Sequence, residues 1–306
     1  MSRDPGALLN PRILFPFILI TIIWGSTWIV IKDQLGTVPP TWSVTYRFII
    51  AAAAMFIYAR VIGAPLQIGR QGHLLASLIG IPQFFLNFNF VYAAEHHITS
   101  GLVAMVFAML MVPNSLLAWI FLKDRVTRGF VIGSAIALGG IALLFVQEMR
   151  GSSAEPREVM IGIGLTVLGV LSASVANTMQ ATQRLRERPI ASIVAWSMTY
   201  GVLANALFAL LIYGPPVIET RAAYWAGLIY LGLLASALAF TFYYAIIRAM
   251  GPAKAAYSSV IVPIIAMALS TAFEGYRWSN LAIAGGVLAM IGMVIALRAR
   301  RGPAAE

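Results

Sequence analysis

Residues 13–31 read ILFPFILITIIWGSTWIVI, nineteen positions without a charged side chain. Wound as a helix at 1.5 Å per residue, the stretch is about 28 Å long, close to the hydrocarbon thickness of a bilayer. Arg12 precedes it, and Gly36, Thr37, Pro39 and Pro40 follow where a cleaved leader would carry a small-residue site. It therefore reads as a membrane span and not as a removable signal peptide. Nine further stretches of the same kind lie near 41–59, 74–94, 98–121, 130–147, 159–181, 190–212, 223–246, 253–273 and 280–297. The connections are too short for a soluble domain. Pro39 and Pro40 stop the first span, Pro189 opens the seventh, and Gly214, Pro215 and Pro216 end it. The runs lack the strict alternation of a membrane β-barrel, and helices satisfy their own backbone groups inside hydrocarbon. The expectation is an all-α, polytopic membrane protein with ten transmembrane helices.

Composition agrees. Of 306 residues, 60% are hydrophobic and 10% charged, against about 25% charged in a soluble domain; mean hydropathy is +0.86. The chain has no cysteine, which excludes disulfides, thiolate metal sites and cysteine nucleophiles. A net charge of +10 would suggest nucleic acid in a soluble protein, but here it follows topology. With both termini cytoplasmic, fifteen of the 21 Lys and Arg fall on inside segments and five on outside ones, with Arg47 inside a span. That bias obeys the positive-inside rule. The reading is a multi-pass inner-membrane protein whose basic loops face an anionic leaflet, with no nucleic-acid partner.

The halves superpose in sequence at an offset of about 150 residues. Pro39 falls on Pro189, Pro113 on Pro263 and Asp124 on Glu274; with a two-residue slip, Gly80 meets Gly232, Tyr92 meets Tyr244 and Gly133 meets Gly285. Residues 1–150 and 151–306 then hold five helices each. An odd number inverts the second half relative to the first, a common carrier architecture with substrate near the midplane.

Trp24-Gly25-Ser26-Thr27-Trp28 is similar to the W-G-x-x-[WF] opening of ten-helix, EamA-type members of the drug/metabolite transporter superfamily. Pro113 followed by Phe121-Leu122-Lys123-Asp124-Arg125-Val126-Thr127 resembles that family's P-x(8)-L-G-E-R-L-T. Pro263 and Glu274 repeat the spacing, and Gly285, Gly286 and Gly292 match its glycine-rich last helix. Asp124 replaces the usual Glu, and Ala272-Phe273-Glu274-Gly275 is a degraded second copy. The resemblance spans nearly the whole chain. It implies two inverted five-helix repeats around a cavity that opens alternately to either side. It further implies a cargo of amino acids, other metabolites, nucleotide sugars or toxic organic compounds, with YddG-type aromatic amino-acid exporters as the leading branch.

Every acidic residue and all three histidines map to loops or span ends. Carriers driven by protons or sodium commonly hold a carboxylate or histidine within the membrane, so transport without tight proton coupling is expected. Asp124 and Glu274 read either as helix-end charges or as coupling groups. Arg47 is the clear intramembrane charge, about 9 Å into the second helix. It is a candidate for binding a substrate carboxylate or for gating; snorkelling to the interface is the alternative.

Gln83 and Asn87 share a face of the third helix, and Asn177 lies within the sixth; these amides bind substrate or bond neighbouring helices. Asn89 points off that face. Trp24, Trp28, Tyr92, Trp196, Tyr243 and Tyr244 are candidates for an aromatic wall, with packing or an interfacial belt as the other reading. Pro113 and Pro263 are candidate hinges, or fixed kinks. Gly133, Gly139, Gly140, Gly285, Gly286 and Ala289 permit close packing, between halves or between protomers.

With no cysteine, mid-span histidine or mid-span carboxylate, an intramembrane enzyme lacks its nucleophile–base or metal set. No cofactor and no metal are expected. A channel would need a ring-forming filter, which the sequence lacks. One buried Arg argues against doubly charged phosphates, and the absence of buried acids argues against strictly cationic drugs. A carrier exporting a small neutral or zwitterionic metabolite fits best, most directly an amino acid with an aromatic or apolar side chain. Export of drugs or other metabolites is the alternative, and the protein is expected to be a monomer or homodimer.

Overall fold

A computed structural model describes residues 11–123, 127–151, 155–250 and 258–299. It contains helices and no strand among the described residues. In chain order these are α1 (Pro11–Asp33), α2 (Pro40–Val61), α3 (Gly69–Ala94) and α4, which joins Ser100–Phe107 to Met111–Leu122 through a 3₁₀ turn at Ala108–Leu110. They continue as α5 (Arg128–Gly151), α6 (Pro156–Gln180), then past a single helical turn at Gln183–Arg186 as α7 (Ile190–Tyr213), α8 (Ala222–Ile247), α9 (Ser258–Phe273) and α10 (Asn280–Ala299). Seven of the ten are long and apolar enough to cross a membrane; the apolar described parts of α5, α9 and α10 are shorter. The exterior is strongly apolar: Phe15 (66%), Ile57 (67%) and Leu211 (73%) are exposed, as lipid-facing side chains should be.

Local sequence explains the boundaries. Pro39 precedes α2 with extended backbone, and its carbonyl accepts the Trp42 and Ser43 N–H groups. Gly214 closes α7 at φ 78°, a left-handed position that glycine occupies without strain. Within α4, Pro113 has no N–H to donate to Met109, and the helix tightens to 3₁₀ geometry just before it.

The two halves repeat each other in detail. Both α3 and α8 contain a π-helical stretch, Ile81–Leu86 and Tyr230–Leu238. Each also carries a glycine where another helix presses its backbone close. A Cβ on Gly80 of α3 would stand 2.1 Å from the Ser197 carbonyl oxygen of α7, and one on Gly232 of α8 would stand 3.0 Å from the Arg47 carbonyl oxygen of α2. Gly80 and Gly232 are the pair matched in the sequence offset, and Arg47 and Ser197 are 150 residues apart. Only glycine permits such approach.

The small-residue seam joins α5 to α10 within one chain. Gly133 faces Gly292 and Ala296, and Gly140 faces Gly285 and Ala289, so the helices run antiparallel with backbones in contact. Gly139 and Gly286 lie off the seam. Asp124 lies outside the described residues. The pair α5–α10 flanks the bundle; the remaining helices build its centre.

Candidate functional site

A cavity of about 120 Å³ sits within the bundle, roughly ten times the space one water needs. Seven helices contribute to its wall: α1, α2, α3, α4, α6, α8 and α9. Trp24, Trp28, Arg47, Gln83, Asn87, Asn177, Tyr243 and Pro263 all line it. No acid or histidine does so among the described residues.

Arg47 is 1% exposed and so does not snorkel to water. Its Nε donates to Ser236 Oγ at 3.0 Å, from the π-helical stretch of α8. Its guanidinium carbon stands 4.4 Å from the Phe88 ring centroid. Nη1 has no hydrogen-bond partner, and no carboxylate forms an ion pair with Arg47 among the described residues. Burying a cation costs several kcal/mol, by order of magnitude, unless a partner compensates. Phe88, Ser236 and the neighbouring Tyr92 phenol supply part of that compensation. Arg47 is itself one of the residues that line the cavity.

Acceptors accompany this donor. Asn87 Nδ2 donates to the Gln83 carbonyl at 3.4 Å, leaving Asn87 Oδ1 free. Gln83 Oε1 and Asn114 Oδ1 are likewise buried without partners, and the Trp28 Nε1–H is an unused donor. The apolar wall is aromatic: Trp24 packs edge-on against Phe240 and Tyr243 at centroid distances of 5.6 and 4.9 Å. Its own Nε1–H donates to the Ala235 carbonyl at 3.2 Å, which fixes the ring.

Other sequence candidates stand elsewhere. Tyr92 and Tyr244 are buried in the main core behind the wall, Tyr92 with its phenol beside the Arg47 guanidinium. Trp196 sits on α7, which packs outside the cavity; it touches His73 and Phe56, and its Nε1–H donates to the Leu66 carbonyl at 2.8 Å. Pro113 lies on α4 next to Asn114, outside the lining, whereas its mate Pro263 is in it. Asn89 bonds helices together, accepting from Thr41 and donating to Asn205, both at 2.6 Å. Phe88, Phe240, Asn114 and Ser236 carried no sequence signal, being ordinary span residues until the fold gathers them.

Above the cavity, at the bundle end marked by Lys32, the α3–α4 corner meets the end of α9. Glu95 is completely buried there, and Lys32 Nζ donates to its backbone carbonyl. Burial pushes the Glu95 carboxyl well above the usual carboxylate range, against the opposing pulls of Ser100 and Lys32. The neighbouring His96 imidazole is lowered by burial and by the charges of Lys32 and His97. Farther out, Arg221 pairs with Asp33 at 3.2 Å, and the Arg221 backbone N–H holds the Glu219 carboxyl below its ordinary range.

Two separate matches to one family model cover residues 12–146 and 160–298, and the model is that of the EamA-like transporter family. The chain belongs to that family. It is accordingly a multi-pass membrane transporter of the ten-helix, two-repeat fold, and not an enzyme. Among its relatives is a probable amino-acid metabolite efflux pump of Salmonella typhimurium, 27% identical over 96% of this chain and 95% of that protein. Another is a probable terminal-alkyne amino-acid exporter of Streptantibioticus cattleyicolor, 25% identical over 93% of each. A solved structure described only as a crystal structure of a protein superposes with TM-score 0.71 over 95% of this chain and 98% of its own, at 18% identity. That likeness speaks for the fold alone.

Proposed function

We propose that this EamA family member exports small zwitterionic metabolites, most directly amino acids with an aromatic or apolar side chain. The observation that carries the reading is the cavity's pairing of an incompletely compensated guanidinium with free carbonyl acceptors and an aromatic wall. A substrate carboxylate supplies the partner that Arg47 lacks; its ammonium finds Gln83, Asn87 and Asn114 oxygens. The side chain lies among Trp24, Phe88, Phe240 and Tyr243. The names of the two amino-acid-exporting relatives support the same class.

Residues 1–150 and 151–306 act as inverted halves that rock about this site, with Pro113 and Pro263 as hinges and both termini cytoplasmic in the inner membrane. With no titratable acid or histidine on the described wall, translocation proceeds without tight proton coupling. A cationic drug is disfavoured by the buried Arg47 and the lack of a facing carboxylate.

Uptake of labelled phenylalanine and leucine into proteoliposomes tests the site. Trp24→Ala and Asn87→Ala should each lower the apparent affinity about 5- to 30-fold, the range for one lost aromatic wall or buried hydrogen bond of about 1–2 kcal/mol. Unchanged flux in both removes the site.

A further inference from the structure

Ser100, the first residue of α4, holds more acceptors than its hydroxyl can serve. Its Oγ lies 3.0 Å from Glu95 Oε2, 3.0 Å from Glu274 Oε1 and 3.3 Å from the Trp28 carbonyl oxygen. The hydroxyl has one hydrogen to donate. Glu274 Oε1 also accepts the Ser100 backbone N–H at 3.4 Å, so one serine draws both carboxyls to itself while its single hydroxyl hydrogen is contested by Glu95, Glu274 and Trp28. Two carboxyls drawn to one hydroxyl favour a proton held at Glu95, the buried member of the pair.

A second observation points the same way. Glu95 Oε1 and Glu274 Oε2 are both buried without partners. So is Ser270 Oγ, completely buried one turn before Glu274 and 3.3 Å from where a Gly101 Cβ would stand, beside Ser100. Glu95 is fully buried and Glu274 half-buried, and two ionised carboxylates sharing one hydroxyl would repel. The other charged and titratable groups here are few. Lys32 of α1 reaches the Glu95 backbone carbonyl and not its carboxylate. His96 is adjacent in sequence, His97 pairs with Glu158 of α6 at 2.5 Å, and Arg277 is exposed.

The position gives the proton a consequence. Ser100 and Glu95 belong to the first half of the chain and Glu274 to the second, and Trp28 offers its carbonyl to Ser100 and its ring to the cavity. We propose that Glu95, Ser100 and Glu274 form a proton-binding latch that holds the Lys32 end of the cavity closed, and that loss of the proton releases it. This goes beyond the substrate assignment and does not depend on it. The proton enters and leaves from one side, so it governs opening without a fixed proton-to-substrate ratio. The sign follows from burial. The closed state holds the Glu95 carboxyl at a raised pKa, so closure is fully favoured below the carboxyl's solvent-exposed pKa and is lost as pH rises through the closed-state value.

The absence of native cysteine makes the test clean. Ile31→Cys, on the cavity wall, is reacted in the reconstituted full chain with a membrane-impermeant maleimide from the Lys32 side, without substrate. Gly36→Cys, exposed on the loop after α1, corrects for thiol ionisation. Between pH 5.5 and 8.5 the corrected rate should rise about tenfold or more, tenfold per unit of pKa difference between open and closed states. Glu95→Gln, whose amide N–H₂ replaces the acid's O–H, should keep the rate low and flat across that range, and Glu274→Gln provides the same reading if the first variant fails to fold. A flat profile in the unsubstituted background, a pH slope unchanged in both Gln variants, or a dependence on Na⁺ in place of H⁺ overturns the latch. Because no substrate is present, a wrong cargo class leaves these outcomes unaffected.

Discussion

Arg47→Gln should weaken amino-acid transport by roughly 30- to 150-fold in KM, with the protein still folded. The magnitude is that of a charge-assisted, desolvated hydrogen-bonded contact, about 2–3 kcal/mol at about 1.4 kcal/mol per tenfold. A matched ligand makes the prediction specific. Phenethylamine keeps the aromatic ring and ammonium of phenylalanine but has no carboxylate, so its transport should be insensitive to the substitution or improved by it. Arg47→Lys should fall between, because it keeps the charge while losing the Nε bond to Ser236 and the planar stacking over Phe88. Equal losses for phenylalanine and phenethylamine would mean that Arg47 supports the wall and not the carboxylate.

The second large effect concerns stability, at neighbouring glycines. A Cβ on Gly140 would stand 2.3 Å from the Ala289 backbone nitrogen and 2.5 Å from the Gly285 carbonyl oxygen, with backbone on both sides unable to give way. A Cβ on Gly139 would meet only the tip of Leu288, at 3.9 Å. Gly140→Ala should therefore cost about 3 kcal/mol or more by prising α5 from α10, whereas Gly139→Ala should be neutral or slightly stabilising through helix propensity. Thermal aggregation in detergent, followed by size-exclusion chromatography, reads the difference. Equal melting of the two variants would show that the α5–α10 seam is not the rigid contact described.

How far the sequence could be read depends on which physical signal each feature emits. Spans announce themselves because hydrocarbon tolerates few charges, and the repeat shows through glycines and prolines whose backbone role admits no substitute. Gly80 and Gly232 were legible for that reason. The π-helical stretches, by contrast, leave no composition signal, and they shape the wall where Gln83 projects and the segment where Ser236 meets Arg47.

The site divides in the same manner. Arg47 stands out because a charge among apolar residues is costly wherever it lies, but its partner Phe88 is indistinguishable from the other aromatics until α2 and α3 pack. Trp196 and Trp24 look alike in sequence, each with an aromatic mate on its own helix face or within its motif. The fold separates them, since α7 packs outside the wall that α1 forms. Glu95 and Glu274 show the converse. Position at a helix end suggests solvent, yet the α3–α4 corner and the end of α9 cover each other, and Glu95 loses all its exposure. Burial at an end is a tertiary property that sequence distance does not report.

The most direct test of the carrier assignment is counterflow. Proteoliposomes loaded with unlabelled phenylalanine are placed in trace labelled phenylalanine, with no ion gradient across the membrane. A carrier with one central zwitterion site predicts saturable, transient accumulation of label above equilibrium, driven by exchange and abolished when the internal phenylalanine is omitted. Flux that is linear in concentration and indifferent to the internal amino acid would contradict it.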